Sequence, residues 1–317
     1  MISVVLASYN GAETLPLTLE AFGEVRLPEG GVEFIAVDNA SSDGTAEVLR
    51  AFQDRLPLTV LSEPRPGKSF ALNHALQHAQ GDLVVFTDDD VIPSAGWLEA
   101  YARAAQEHPE VGLFAGQVRH FWQKTPPDWL EQLAAKGRSY GGTPIDLPEG
   151  PVKFGRFKGA NFMTRRAPLD AVRFCEDAGV NFAGTFTSTG GEDTKLIYDL
   201  IQQGEKTWYV PDACLQHIVR PHQVGIRPVL QRYFRIGRVA EATGAHRFSE
   251  GLPTLFGYPR CLFKTVLLSI SYCIVLFAFG RTYQAMNRMI GVAVNCGQAV
   301  EWRSNNRKRT FDLGVSG

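Results

Sequence analysis

The sequence predicts an α/β protein: a mostly parallel sheet with helices on both faces, followed by an apolar C-terminal helical segment. Three observations carry that prediction. Short apolar runs alternate with amphipathic stretches through the first hundred residues, which is the pattern of βαβ units. Polar clusters close several of those runs, and a nearly unbroken apolar stretch stands near the C-terminus. The bulk composition is that of an ordinary globular chain, with 317 residues, 44% apolar and 21% charged.

The elements follow in order. Residues 3–7, SVVLA, read as a first strand, and Glu13 to Phe22 as an amphipathic helix. Residues 32–38, VEFIAVD, form a second strand, and the Ser/Asp/Gly turn after it opens a helix near Thr45. A third strand spans 58–63 with a helix over 68–79, and a fourth spans 82–87 with a helix over 95–107. Residues 119–157, rich in Pro, Gly and aromatics, read as irregular, a mobile flap over the site. Order resumes with strand then helix in KGANFMTRRA, a helix with a glycine stop in GGEDTKLIYDLIQQG, and a strand in KTWYVPDACLQH. Parallel sheets bind ligands outside the carboxyl ends of their strands. Tyr9-Asn10, Asp38-Asn39 and Asp88 to Asp90 all fall at such ends and read as one site.

The net charge of −1 argues against a nucleic-acid partner, which needs a basic face. Five scattered cysteines without a C-x-x-C pair read as reduced thiols in a cytosolic setting. The opening MISVVLASYN has no charged leader or cleavage site, so no signal peptide is expected. Residues 262–280, LFKTVLLSISYCIVLFAFG, approach the roughly 20 apolar residues that a spanning helix needs. From residue 260 onward there are eight Lys or Arg against Glu301 and Asp312. Basic residues beside an apolar helix suit contact of 260–310 with an anionic cytoplasmic leaflet. The alternative is a buried helix of a soluble domain.

Four groups of residues could carry chemistry. Asp88, Asp89 and Asp90 repel one another unless a cation joins them, and an Asp-x-Asp element suits Mg²⁺ or Mn²⁺ shared with phosphates. Asp88 and Asp90 are the expected ligands, with Asp89 a neighbour; the bland alternative is a solvated loop capping the next helix. Gly67-Lys68-Ser69 imitates the end of a P-loop, but Ser62 stands where that motif needs glycine and two prolines interrupt the loop. A P-loop ATPase or GTPase is therefore rejected, although Lys68 at a helix N-terminus can still meet a phosphate or ribose. Glu192 and Asp193 begin a helix, where acidic charge is favourable in itself, yet two preceding glycines allow close substrate approach. One of the two can serve as a general base. His217 ends a strand, and a lone histidine is more often structural than a ligand.

These pieces, in this order and spacing, resemble family 2 glycosyltransferases over about residues 1–220. The resemblance rests on SVVLASYNGAETLPLTLEAF, VDNASSDGT, GKSFALNHALQHAQGDLVVFTDDD, GANFMTRR and GGEDTKLIYDLIQQG. It implies a GT-A (Rossmann-like) fold and an inverting transferase that moves a sugar from a nucleotide-diphosphate sugar to an acceptor hydroxyl, in cell-surface polysaccharide or glycolipid assembly. By that resemblance Tyr9 and Asp38-Asn39 match positions holding nucleobase and ribose, Asp88 and Asp90 the metal-binding pair, and Asp193 the base. His217 falls where GT-A relatives often place a further metal ligand. Many members carry two acidic residues where this chain has Asp38-Asn39, so recognition of the base can differ. The expected division is a catalytic domain over 1–220 and a helical, membrane-associating region over 221–317, able to bring a carbohydrate or lipid-linked acceptor to the inner face of the cell membrane. Two alternatives stand beside this reading. A sugar-phosphate nucleotidyltransferase needs a Gly-rich basic loop after its first strand, whereas ASYNGAETL has one glycine and no Lys or Arg. A non-catalytic membrane-associated scaffold would be supported by loss of the acidic pairs, and both are present.

Overall fold

The structure, a computed structural model, describes residues 1–176, 191–243, 248 and 252–314. The elements are β1 (Ile2–Ser8), α1 (Leu15–Gly23), β2 (Val32–Asp38), α2 (Thr45–Ala51), β3 (Leu58–Ser62), α3 (Lys68–His78), β4 (Leu83–Thr87) and β5 (Val91–Pro93). They continue with α4 (Trp97–Glu107), β6 (Val111–Trp122), α5 (Asp128–Ala135), β7 (Asn161–Arg165), α6 (Arg166–Ala171), α7 (Glu192–Gln202) and β8 (Lys206–Val219). Last come α8 (Ile226–Thr243), a short ribbon of β9 (Thr254–Leu255) and β10 (Tyr258–Pro259), α9 (Arg260–Ala278) and α10 (Thr282–Gly314). The chain divides into two compact units. One comprises Met1–Gln123 and Ala134–Val219, the other Lys124–Leu133 and Arg220–Gly317.

Among the described residues, the first unit is built on an eight-stranded sheet in the order β3-β2-β1-β4-β7-β6-β8-β5. β1 pairs in parallel with β2 and β4, β2 with β3, and β6 with β8. β7 runs antiparallel to both β4 and β6, and β5 antiparallel to β8. Alternation along the strands sends side chains to opposite faces. Ile2, Val4 and Leu6 pack with α1 and α4, together with Phe34 and Val85. Val5, Ile35, Val84 and Phe86 instead meet Ala71, Leu72, Ala75 and Leu76 of α3 and Leu196, Ile197 and Leu200 of α7. On the first face Phe22 stacks on Phe34 and Trp97, with ring centroids 4.9 and 6.1 Å apart. The α/β class with a mostly parallel sheet and helices on both faces is therefore as expected.

Asn161 fills one of the breaks in the β6–β8 ladder. Between Gly116 and Gln117 the register shifts, leaving the carbonyls of Gln117 and Ala213 to be satisfied from the side. Asn161 Nδ2 donates to both at 2.8 Å, while Trp97 Nε1 and Tyr101 Oη donate to its Oδ1 at 2.9 Å. All three side chains are fully buried, so this amide is the polar centre of an apolar layer.

The irregular reading of 119–157 holds over 136–153, which lie between elements, and is corrected on either side. β6 continues to Trp122, α5 occupies Asp128–Ala135, and a 3₁₀ turn covers Phe154–Arg156. Pro126 and Pro127 disguised the helix, yet prolines are tolerated at a helix start, where the missing N–H would have no partner.

In the second unit, α8 packs against α10 through glycine contacts. A side-chain carbon on Gly237 would lie 2.0 Å from the Val294 carbonyl oxygen, and one on Gly297 would lie 1.9 Å from that of Phe234. Arg238 closes the same pair with Nη2 and Nε 2.8 and 2.9 Å from Glu301 Oε2. α9 realises the predicted apolar helix. Its mean hydropathy is 2.1 over an 18-residue window of which only 17% is buried, so it is long and apolar enough to cross a membrane. The five cysteines are free thiols.

Candidate active site

The carboxyl ends of β1, β2 and β4 lie side by side, because Ser8 pairs with Asp38 and Val5 with Phe86 in the parallel ladders. Beyond them opens a cavity of about 170 Å³ lined by Ser8, Tyr9, Asn39, Lys68, Asp88 and Asp89, among others. The strand-end clusters singled out in the sequence thus share one region, as expected from βαβ geometry.

Each polar residue there has a traceable position. Asp38 Oδ1 accepts a hydrogen bond from Ser41 N at 3.3 Å, tightening the turn after β2. Asn39 is buried, and its amide is engaged with the loop before α3. Its Nδ2 donates to the carbonyls of Glu63 at 3.1 Å and Arg65 at 2.7 Å, and its Oδ1 accepts from Gly67 N at 2.9 Å. Asn39 therefore sets the position of Gly67 and of Lys68, the first residue of α3. Asp89 accepts a hydrogen bond from Ser8 Oγ, and its backbone oxygen accepts one from Thr18 Oγ1 at 3.1 Å. Burial, reinforced by the charges of Asp90 and Asp88, pushes the Asp89 carboxyl up to about 7 against the Ser8 hydrogen bond. Asp89 is thus a member held inside the corner, while Asp88 and Asp90 flank it.

β5 explains how a distant histidine reaches the trio. Val91 pairs with His217, and Ile218 N donates to the Asp90 carbonyl at 2.8 Å. This register brings His217 Nε2 to 3.4 Å from Asp90 Oδ1. One ligand atom from each of Asp88, Asp90 and His217 falls within 4.8 Å of the others. Two hard carboxylate oxygens and an imidazole nitrogen fit a Mg²⁺- or Mn²⁺-type ion that completes its shell with phosphate and water.

On the other side stands the start of α7. Gly191 caps it with φ +130°, a conformation that favours glycine, and its N–H donates to Glu192 Oε2 at 3.0 Å. Gly190 lies outside the described residues. Lys68 bridges the two sides: its Nζ is 2.7 Å from Asp88 Oδ1, 3.3 Å from Asp193 Oδ2 and 3.8 Å from Glu192 Oε1. Burial works against the ammonium, but Asp193, Asp88 and Glu192 together outweigh it and raise Lys68 well above its usual value. Asp193 is pushed up to about 7, chiefly by burial, with Glu192 and Asp88 adding to the rise and Lys68 opposing it. Its Oδ1 is buried and accepts no hydrogen bond among the described residues.

Two glycines escaped the sequence reading as site residues. A side-chain carbon on Gly159 would lie 2.0 Å from Asp193 Oδ2, and one on Gly11 would lie 2.2 Å from Ser8 Oγ and 2.4 Å from Asp89 Oδ2. Gly11 stands in SVVLASYNGAETLPLTLEAF and Gly159 opens GANFMTRR, so the signal was a glycine at the approach to a helix or strand. What it made room for was not legible without the partner segment.

An eight-stranded mixed sheet with an acidic cluster at its central strand ends defines the GT-A class of fold. The family model described as glycosyl transferase family 2 matches residues 3–173, more than half of the chain, and the chain belongs to that family. An uncharacterized glycosyltransferase, YfnE of Bacillus subtilis (strain 168), is 31% identical over 138 residues, covering 42% of this chain and 35% of YfnE. The succinoglycan biosynthesis protein ExoM of Rhizobium meliloti (strain 1021) is 24% identical over 240 residues, 75% of this chain and 73% of ExoM. The chain thus spans about a third of YfnE and most of ExoM. Among solved structures, the mannosyltransferase PcManGT from Pyrobaculum calidifontis, in complex with GDP-Man and Mn²⁺, superposes with a TM-score of 0.57 at 21% identity, covering 93% of this chain and 86% of that one. The likeness establishes the fold.

Proposed function

We propose that the chain is an inverting glycosyltransferase that moves a sugar from a nucleotide-diphosphate sugar to an acceptor hydroxyl, in assembly of a cell-surface polysaccharide or glycolipid. The observation that carries this reading is the meeting of the Asp88, Asp90 and His217 grouping with a buried Asp193 across a single lysine. The GDP-Man and Mn²⁺ bound by PcManGT and the succinoglycan role of ExoM support it.

In this mechanism Tyr9, Asp38 and the loop held by Asn39 take the nucleoside, and Lys68 meets the diphosphate. Asp88, Asp90 and His217 would hold the divalent ion. When bound, that ion stabilises negative charge gathering on the departing diphosphate. Asp193 accepts the proton of the acceptor hydroxyl at its carboxylate, which burial makes more basic than an ordinary aspartate. The acceptor oxygen then attacks the anomeric carbon opposite the leaving group and inverts it. Gly159 leaves the space in which the Asp193 carboxylate is held.

The catalytic role belongs to residues 1–220, and 221–317 supply membrane association at the cytoplasmic face. Leu267, Ile274 and Phe279 are 67%, 65% and 76% exposed on or just after α9, an arrangement that suits lipid tails. Release of nucleoside diphosphate from a panel of nucleotide sugars, with and without Mn²⁺, tests the assignment. Release from no donor under either condition rejects it, and pyrophosphate chemistry on a sugar phosphate would favour a nucleotidyltransferase instead.

A further inference from the structure

Lys68 stands where a second cation has to arrive. Its Nζ lies closer to Asp88 Oδ1, at 2.7 Å, than to Asp193 at 3.3 Å or Glu192 at 3.8 Å. Asp88 also belongs to the grouping with Asp90 and His217, so one carboxylate is shared between an internal ammonium and a candidate divalent ion. The Lys68 side chain is only 17% exposed, and solvent screens such a neighbour weakly. We infer that Lys68 is a resident counter-ion: it holds down divalent-cation affinity in the donor-free site, and a nucleoside diphosphate relieves this by drawing the ammonium from Asp88 to its own phosphate oxygens.

The chemistry is a redistribution of charge. Without the donor, Asp88 satisfies Lys68, and a dication arriving on the same carboxylate meets a like charge at close range. A diphosphate brings anionic oxygens that can accept from the ammonium and share the dication at once. Asp193 and Glu192 keep a second hold on the lysine during this exchange, so it shifts between anions and is not released to solvent. Cation and nucleotide then each favour the other's binding, with equal coupling in both directions. This inference rests on the metal-dependent donor reading above.

The test is Mn²⁺ binding to the full chain, followed by the electron paramagnetic resonance of free Mn²⁺, without nucleotide and with UDP or GDP. Without nucleotide, Lys68→Met should bind Mn²⁺ roughly tenfold tighter than the wild type, because a positive charge has been removed from beside the ligand. Lys68→Gln should show the same gain and serves if the methionine variant does not fold, while Lys68→Arg should stay near the wild type. Added nucleotide should tighten Mn²⁺ more in the wild type than in either neutral variant. Equal Mn²⁺ affinity in wild type and neutral variants without nucleotide overturns the counter-ion role and leaves metal-dependent donor binding intact. Absence of Mn²⁺ binding to the wild type with both nucleotides overturns the donor reading itself, and this inference with it.

Discussion

A side-chain carbon on Gly159 would stand 2.0 Å from Asp193 Oδ2 and 2.7 Å from its Cγ, so the glycine and the carboxylate occupy one space between them. Gly159→Ala must therefore displace Asp193. A misplacement on the scale of an ångström at a reacting group lowers turnover by roughly 100-fold. The variant should keep its circular dichroism spectrum and nucleotide affinity and lose transfer. Normal transfer in Gly159→Ala would mean that Asp193 need not stay where the structure puts it.

Asp193→Asn keeps the shape of the carboxylate and removes its basicity. Its kcat should fall roughly 100- to 10,000-fold with donor affinity preserved, the range expected for a general base. The pH profile gives the sign independently. The carboxyl is raised to about 7, so the wild-type rate should decline as pH falls through that value and level off above it. In the asparagine variant that acidic limb should disappear from the residual rate.

Asp90→Ala removes one of the three grouped ligands and the partner 3.4 Å from His217. Mn²⁺-dependent enhancement of nucleotide binding, measured by calorimetry, should shrink by roughly tenfold or more, while metal-free nucleotide affinity stays near the wild type. His217→Ala should show the same pattern more weakly.

Asn161→Leu tests the fold independently of the chemistry. It strips partners from Trp97 Nε1, Tyr101 Oη and the Gln117 and Ala213 carbonyls at once. Buried unsatisfied polar groups cost about 1–3 kcal/mol each, so urea denaturation should show a loss of about 3 kcal/mol or more.

Membrane association is checked by fractionation. If α9 spans the bilayer, the chain should remain in the pellet through both high salt and carbonate. If α9 lies on the surface, carbonate should release the chain. Recovery in the soluble fraction at low salt would reject membrane contact, and Ile274→Glu should weaken retention in either membrane-bound case.

The sheet's first half was legible because parallel βαβ units leave a local record: an apolar run, a turn, an amphipathic helix. Strand ends therefore located Tyr9, Asp38 and Asp88 correctly relative to one another. What was not legible depends on partners distant in sequence. Antiparallel β7 carries no mark that distinguishes it from a parallel strand, and β5 is too short to show a period. Asn39 illustrates the limit. Its identity marked a departure from an acidic pair, but only the folded loop shows its amide holding the Glu63 and Arg65 carbonyls. Lys68 was placed near phosphate by its helix start. Its contact with both Asp88 and Asp193 depends on α3 and α7 sharing one face of the sheet.

β5 is a terminal strand of the sheet, three residues long and ended by a proline that has no N–H to offer. A strand so short and so terminated makes a poor template for another chain, which is how sheet proteins protect an open edge from aggregation. Here the protective edge is also the segment whose pairing aligns Asp90 with His217. Edge protection and the geometry of the candidate cation site are thereby bound to one register, and lengthening β5 to strengthen the sheet would put both at risk.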